Sequence, residues 1–151
     1  MTYVISDIHG NFKKFKEMLE LISFGERDVM YVLGDIVDCG DEPIELLLDL
    51  SMRYNVLPII GEREYRAQKL LMELDRVFSG ESAEPEVMAE VADWISDGGK
   101  NTIEGFKALD DDMREGVLDY LADMALYGAI VGKAYYTGAI SLREAIEVAE
   151  K

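Results

Sequence analysis

Thr2-Tyr3-Val4-Ile5-Ser6-Asp7-Ile8-His9-Gly10-Asn11 and its counterpart Val29-Met30-Tyr31-Val32-Leu33-Gly34-Asp35-Ile36-Val37-Asp38-Cys39-Gly40 decide the fold. Each is a short apolar run ending in an acidic turn that contains glycine. Short apolar runs bounded by turn residues read as buried strands. Carboxylates and an imidazole beside glycine at strand ends are where α/β proteins hold metals and phosphates. Asp7, His9 and Asp35 are therefore the candidate metal ligands, because two carboxylates and one imidazole suit a hard or borderline divalent cation. Asp38 is near enough in sequence to orient a ligand by hydrogen bonding. The same residue types also fit a plainer reading, in which Asp7 and Asp35 cap turns or helices and His9 is hydrogen-bonded in a loop. On composition alone that reading is the more economical.

Outward from these turns, Asn11 is placed to cap a helix to about Phe24, with Phe12, Phe15, Met18, Leu19 and Ile22 on one face and Gly25 as its stop. Asp41 and Pro43 mark the start of a second helix to about Met52. A third strand is expected over about 55–60, where Pro58 predicts an unpaired N–H side or an edge position. Gly61 ends it, and a helix follows from Glu62 to about Phe78. Strands and helices alternating with short connections predict a parallel βαβαβ sheet with right-handed crossovers.

Beyond Ser79 the strand signal stops. Ser82 and Pro85 start a helix carrying Val87, Met88, Val91, Trp94 and Ile95, which Gly98-Gly99 breaks. Thr102 begins a short helix, and Asp110 caps another to about Tyr127, with Met113, Val117, Tyr120, Leu121 and Met124 on one side. This helical insert, about 82–127, reads either as a cap over the sheet ends or as plain cover for the core. A hairpin over 129–136, turning at Gly132-Lys133, and a helix from Leu142 to about Ala149, capped by Ser141, close a single domain over 1–151.

Charge narrows the partners. The 31 acidic and 15 basic residues give a formal net charge of −16, which repels nucleic acid and anionic membrane, so neither is expected. No apolar run reaches the ~20 residues needed to span a bilayer. The N-terminus lacks a basic stretch followed by a long apolar one, and Cys39 is the only cysteine. Both point to a reducing, cytoplasmic setting. Cys39 has no basic neighbour in sequence and reads as a small, partly buried residue rather than a nucleophile.

Ser6-Asp7-Ile8-His9-Gly10-Asn11 and Gly34-Asp35-Ile36-Val37-Asp38-Cys39-Gly40 resemble the first two signatures of the metallophosphoesterases, and most of all the bacterial, calcineurin-like branch of the phosphoprotein (Ser/Thr) phosphatase family. That family shows Asp-x-His-Gly, then Gly-Asp-x-Val-Asp-Arg-Gly, then Gly-Asn-His-Glu, each after a strand. The third place reads Gly61-Glu62-Arg63-Glu64 here, with Pro58-Ile59-Ile60 before it and Tyr65 after it. Trp94 to Phe106, with Gly98-Gly99 and Thr102-Ile103-Glu104, has the same look. The resemblance implies that Asp7 and His9 bind a first metal and that Asp35 bridges to a second. It also implies losses. Glu62 stands where the family has a metal-binding Asn, Arg63 where it has a general-acid His, and Cys39 where it has a phosphate-gripping Arg; Asp38 and Arg63 occupy family catalytic positions. Two further histidine ligands have no counterpart, since His9 is the only histidine. Tyr136-Thr137-Gly138-Ala139-Ile140 matches a Val-His-Ala-Gly-like strand end, with Thr137 in a ligand's place. The chain then ends where the family continues through more strands.

The fold implied is α/β: the N-terminal half of a metallophosphoesterase sandwich, with a parallel βαβαβ sheet, a helical cap, and a C-terminal hairpin plus helix, in a degenerate and truncated member. Hydrolysis across two metals needs both ions ~3.5–4 Å apart. Asp7, His9 and Asp35 are expected to hold one Mn²⁺ or Mg²⁺ weakly, or none. Glu62 is the substitute ligand on offer. Arg63 cannot act as a general acid because guanidinium stays protonated; it is left to contact an anion or to pair with Glu64 or Asp35 in place of a metal. The expected function is a phosphatase-like protein, catalytically impaired or inactive, that binds a phosphorylated protein or small phosphoester. The alternative is an active phosphoesterase with a reduced site. A sheet lacking its continuation would leave an edge or apolar face open, so a homodimer is also expected.

Overall fold

Strands β1 (Thr2–Ile5), β2 (Val29–Leu33) and β3 (Val56–Ile59) lie parallel in the order β1-β2-β3. The computed structural model of the chain describes residues 1–127, Ser141 and Arg143. Thr137, the hairpin expected over 129–136 and, apart from Arg143, the helix expected over 142–149 lie outside the described residues. Helices α1 (Phe12–Leu21) and α2 (Pro43–Ser51) connect the strands, and α3 (Glu62–Phe78) follows β3. The βαβαβ reading is what forms.

The ladder assigns each strand residue to a face. Tyr3, Met30 and Val56 align across the sheet, as do Ile5, Val32 and Pro58. Met30, Val32, Val56 and Pro58 are buried beneath the helices. Val4, Tyr31 and Leu57 align on the opposite face, where Val4 is 59% exposed and Tyr31 37%. Strands that are apolar on both faces belong to sheets covered on both sides, and among the described residues only one side is covered. The Met30 N–H donates to the Asn55 carbonyl at 2.9 Å. Backbone groups alternate in direction along a strand, so those of Pro58 point away from β2. Its missing N–H therefore costs no ladder bond.

Helices α4 (Pro85–Trp94), α5 (Lys100–Lys107) and α6 (Asp111–Tyr127) complete the described chain. They pack against α2, α3 and β3, and the bend between α4 and α5 reaches the turn after β2. Trp94, Phe106, Val117, Leu121 and Met124 enter the common core, and fully burying one such side chain is worth roughly 1.5–3 kcal/mol. The apolar stripe is narrower than its spacing predicts: Met88, Ile95 and Met113 are exposed.

Three helix ends also differ from expectation. Helix α1 stops before Gly25, because Ser23 takes a left-handed φ of 52°. Asn11 occupies the N-cap position without capping; its Nδ2 instead donates to the carbonyls of Ile8 at 2.9 Å and His9 at 3.2 Å, bracing the first acidic turn. The N-cap of α2 is Glu42 rather than Asp41. At the start of α6 the Asp110 carboxylate does accept the Met113 N–H, at 2.9 Å.

Candidate metal centre

Both acidic turns sit at the C-terminal ends of adjacent parallel strands, and the backbone locks them together. The His9 N–H donates to the Asp35 carbonyl at 2.9 Å, and the Gly10 N–H to the Ile36 carbonyl at 2.7 Å. Gly40 closes the second turn onto the first so tightly that a Cβ there would lie 2.1 Å from the His9 carbonyl oxygen. Five non-glycine residues in these turns take left-handed φ: Asp7 57°, His9 47°, Asp35 50°, Asp38 67° and Cys39 61°. Each costs on the order of 1 kcal/mol or more, and such strain persists where surrounding bonds over-determine it, typically at functional sites.

The strained turns aim three side chains at one point. Ligand atoms of Asp7, His9 and Asp35 all lie within 4.8 Å of one another. Nε2 of His9 is 3.9 Å from an Asp7 oxygen, and Ser6 Oγ donates to the other. Nδ1 of His9 is buried with no hydrogen-bond partner. Two facing carboxylates and an imidazole fit a divalent cation, which would relieve the repulsion between the carboxylates.

Glu62 stays out of this group. Its side chain is 89% exposed and faces Arg66 at 3.8 Å. Arg63 pairs with neither Asp35 nor Glu64. Its Nη1 lies 3.2 Å from Asp38 Oδ2, 3.2 Å from the Asp97 carbonyl and 3.8 Å from the Asp97 carboxylate. Burial works against the Arg63 charge, but Cys39, Asp38 and Asp97 outweigh it and hold its pKa above the ordinary guanidinium value. Arg63 therefore stays a cation, with Asp38 as the partner that position and burial select.

Asp38 is 0% exposed. Its carboxylate accepts Trp94 Nε1–H at 2.9 Å and the Thr102 hydroxyl at 2.8 Å, besides the Arg63 bond. The bend between α4 and α5 docks beside it. The Cys39 N–H donates to the Gly98 carbonyl at 3.0 Å, and Asn101 Nδ2 to the Gly40 carbonyl at 2.8 Å. Gly98, at φ 104°, is required there, since a Cβ would fall 2.8 Å from Cys39 Sγ. Asp38 is thus a clamp between the second turn and the helical block rather than a group orienting His9. Cys39 is exposed, not partly buried, because its left-handed backbone carries it out at the apex of the turn.

The residue that sequence reasoning missed is Glu64. It is 0% exposed, and its carboxylate accepts four backbone N–H bonds: from Gly61 at 3.0 Å, Asp35 at 3.1 Å, Ile36 at 2.7 Å and Val37 at 3.1 Å. Burial raises its pKa above the ordinary carboxyl value, against the pull of those donors.

Parallel strands that end in a two-carboxylate, one-imidazole cluster define an α/β domain with a candidate divalent-cation site. The calcineurin-like phosphoesterase family model matches residues 2–128, and the chain belongs to that family. Family membership implies use of a divalent metal. The chain is 30% identical over 77 residues to a symmetrical bis(5'-nucleosyl)-tetraphosphatase of Wigglesworthia glossinidia brevipalpis, a match covering 50% of this chain and 28% of that protein. It is 35% identical over 65 residues to the enzyme of the same name from Buchnera aphidicola subsp. Acyrthosiphon pisum (strain Tuc7), covering 42% and 24%. A third, from Coxiella burnetii (strain Dugway 5J108-111), is 33% identical over 64 residues, covering 42% and 22%. The matched stretch thus spans about a quarter of these relatives' length. Their names specify a nucleotide phosphoanhydride rather than a phosphoprotein. Among the described residues no helix is long and apolar enough to cross a membrane.

Proposed function

We propose that this chain is a phosphoesterase-family domain that holds one divalent cation, Mn²⁺ or Mg²⁺, at Asp7, His9 and Asp35 and binds a phosphorylated ligand with its hydrolytic power impaired. The observation that carries this reading is the division of the site. Three ligand atoms converge within 4.8 Å, while Glu62 faces solvent and Arg63 is committed to Asp38. A cation bound at the cluster would polarise a phosphoryl oxygen as a Lewis acid.

The chain's own residues account for the rest. Asp7 and Asp35 supply carboxylate oxygens, and His9 supplies an imidazole nitrogen. Arg63 adds a fixed positive charge whose Nε and Nη2 have no protein partner among the described residues, so it offers donors to a phosphate oxygen. It cannot protonate a leaving group, and Asp38 has its carboxylate fully engaged. Neither residue at a family catalytic position is thus free to donate a proton, which supports impaired turnover.

A small phosphoester is the ligand class we favour, and the names of the relatives add a dinucleoside polyphosphate to it. A phosphorylated protein is the second candidate. The charge of −16 argues against nucleic acid and anionic membrane and makes phosphate binding depend on the cation. The strained, interlocked turns favour the rival reading, an active enzyme with a reduced site. Assays of p-nitrophenyl phosphate, diadenosine tetraphosphate and a phosphopeptide with Mn²⁺, each beside Asp35→Asn, separate the two. Mn²⁺-dependent ligand binding without turnover above the variant supports impairment. Turnover that disappears with Asp35→Asn overturns it.

A further inference from the structure

Asp35 has a problem of position. It must present its carboxylate beside Asp7 and His9 from a left-handed backbone, φ 50°, that a non-glycine residue adopts only under constraint. From one side the constraint is the His9 N–H on its carbonyl, at 2.9 Å. From the other side it is Glu64. The N–H groups of Asp35, Ile36 and Val37 turn inward together, forming a concave cluster of donors of the kind that binds anions. Glu64 fills that concavity with its own buried carboxylate, and its second attachment, the Gly61 N–H, ties it to the head of α3. No Lys or Arg among the described residues pairs with Glu64, so its charge is balanced by these backbone dipoles alone.

Gly61 is shaped to the same purpose. A Cβ on it would stand 2.9 Å from Glu64 Oε2, 3.0 Å from Gly34 Cα and 3.1 Å from the Asp35 nitrogen. The third turn can press its carboxylate against the second only because residue 61 has no side chain.

We propose that Glu64 is the positioning residue of this centre: it binds no cation, but it fixes the Asp35 backbone, and through the bond from His9 to the Asp35 carbonyl it fixes His9 as well. The donors of residues 35–37 are consumed in this way, so a ligand's phosphate has no access to them and must be held elsewhere. The proposal rests on the single-cation reading given above. Groups that orient metal ligands without touching the metal typically cost 10–100-fold in affinity when removed. Glu64→Gln keeps the volume but turns one acceptor into a donor that faces backbone N–H groups.

The test is a Co²⁺ titration followed by visible absorption, a signature set by coordination geometry that a general loss of stability does not move. It uses the full chain, Glu64→Gln, Gly61→Ala and, as a charge-matched control on the exposed face of α1, Glu20→Gln. The expected result is saturable one-site binding by the parent chain and by Glu20→Gln. Glu64→Gln and Gly61→Ala should bind 10–100-fold more weakly with altered band intensity, while circular dichroism shows helix content retained. Parent-like affinity and spectrum in Glu64→Gln overturn the proposal. Absence of Co²⁺ binding by the parent chain overturns the single-cation reading instead, and this inference with it. If Glu64→Gln is recovered unfolded, Glu64→Asp takes its place, since it keeps the charge but shortens its reach, with the same supporting and refuting outcomes.

Discussion

Replacing Asp38 with alanine is the sharpest perturbation of this architecture. The carboxylate is 0% exposed and satisfies three donors at once: Trp94 Nε1–H at 2.9 Å, the Thr102 hydroxyl at 2.8 Å and Arg63 Nη1 at 3.2 Å. Truncation strands all three. Removing one member of a buried ion pair typically costs ~3–5 kcal/mol, and each orphaned neutral donor adds up to ~1–3 kcal/mol in isolation. These terms do not add, because one cavity admits water to all three groups. The Arg63 side chain is also 23% exposed and keeps its contacts with Asp97, so part of its charge is rehydrated. The low end, about 3 kcal/mol, is the expected loss. With a urea slope of about 2 kcal/mol/M for a domain of this size, the unfolding midpoint should fall by about 1.5 M at unchanged slope. Asp97→Ala removes an exposed partner of the same arginine and should move the midpoint far less. A drop under about 0.5 M for Asp38→Ala, or one equal to that of Asp97→Ala, would refute the clamp.

Three further outcomes follow from the geometry. Gly40→Ala sets a Cβ 2.1 Å from the His9 carbonyl and 2.6 Å from the Gly10 carbonyl carbon. Both are backbone atoms, so the two turns must part; calorimetry should show Mn²⁺ affinity reduced at least tenfold, and thermal denaturation a loss within the ~1–3 kcal/mol typical of overpacking. The Asp97 carboxyl is held below its ordinary value of 3.8, first by the Arg66 hydrogen bond and then by the Arg63 charge. A lowered native pKa means that this stabilisation is present above pH 3.8 and is lost as pH falls through the native value. An NMR titration should put the Asp97 midpoint below 3.8, returning toward it in Arg66→Ala. The exposed sheet face bearing Val4, Tyr31 and Leu33 supports self-association, so light scattering at micromolar concentration should give twice the chain mass, against which a monomeric mass would count.

What could be read from the chain divides along a physical line. Features encoded by neighbours in sequence were visible: three strands from their apolar runs, α3 from Glu62 to Phe78, the edge role of Pro58, and the cluster of Asp7, His9 and Asp35 from strand ends that parallel pairing brings together. Features encoded by distant pairs were not. The Asp38 clamp joins residues 56 and 64 positions apart, and no local pattern marks Trp94 or Thr102 as its donors. Arg63 offered several acidic partners on paper, and only packing selects Asp38. Glu64 escaped notice for a related reason. A glutamate in the first turn of a helix looks like an ordinary favourable charge, and only burial against the Asp35 turn shows it as an anion enclosed by backbone donors. Its place three residues after Gly61, a capping-box spacing, and its match to the Glu that ends the family's third signature were the local signals available. Cys39 shows the reverse: small and without a basic neighbour in sequence, it reads as partly buried, yet its left-handed backbone exposes it.

The claim that this centre binds a single cation stands or falls on stoichiometry. Equilibrium dialysis against Mn²⁺ with elemental analysis should give one bound ion per chain in the parent, and none above background in Asp35→Asn at the same free Mn²⁺ concentration. Two ions per chain, or a single ion whose binding survives Asp35→Asn, would contradict it.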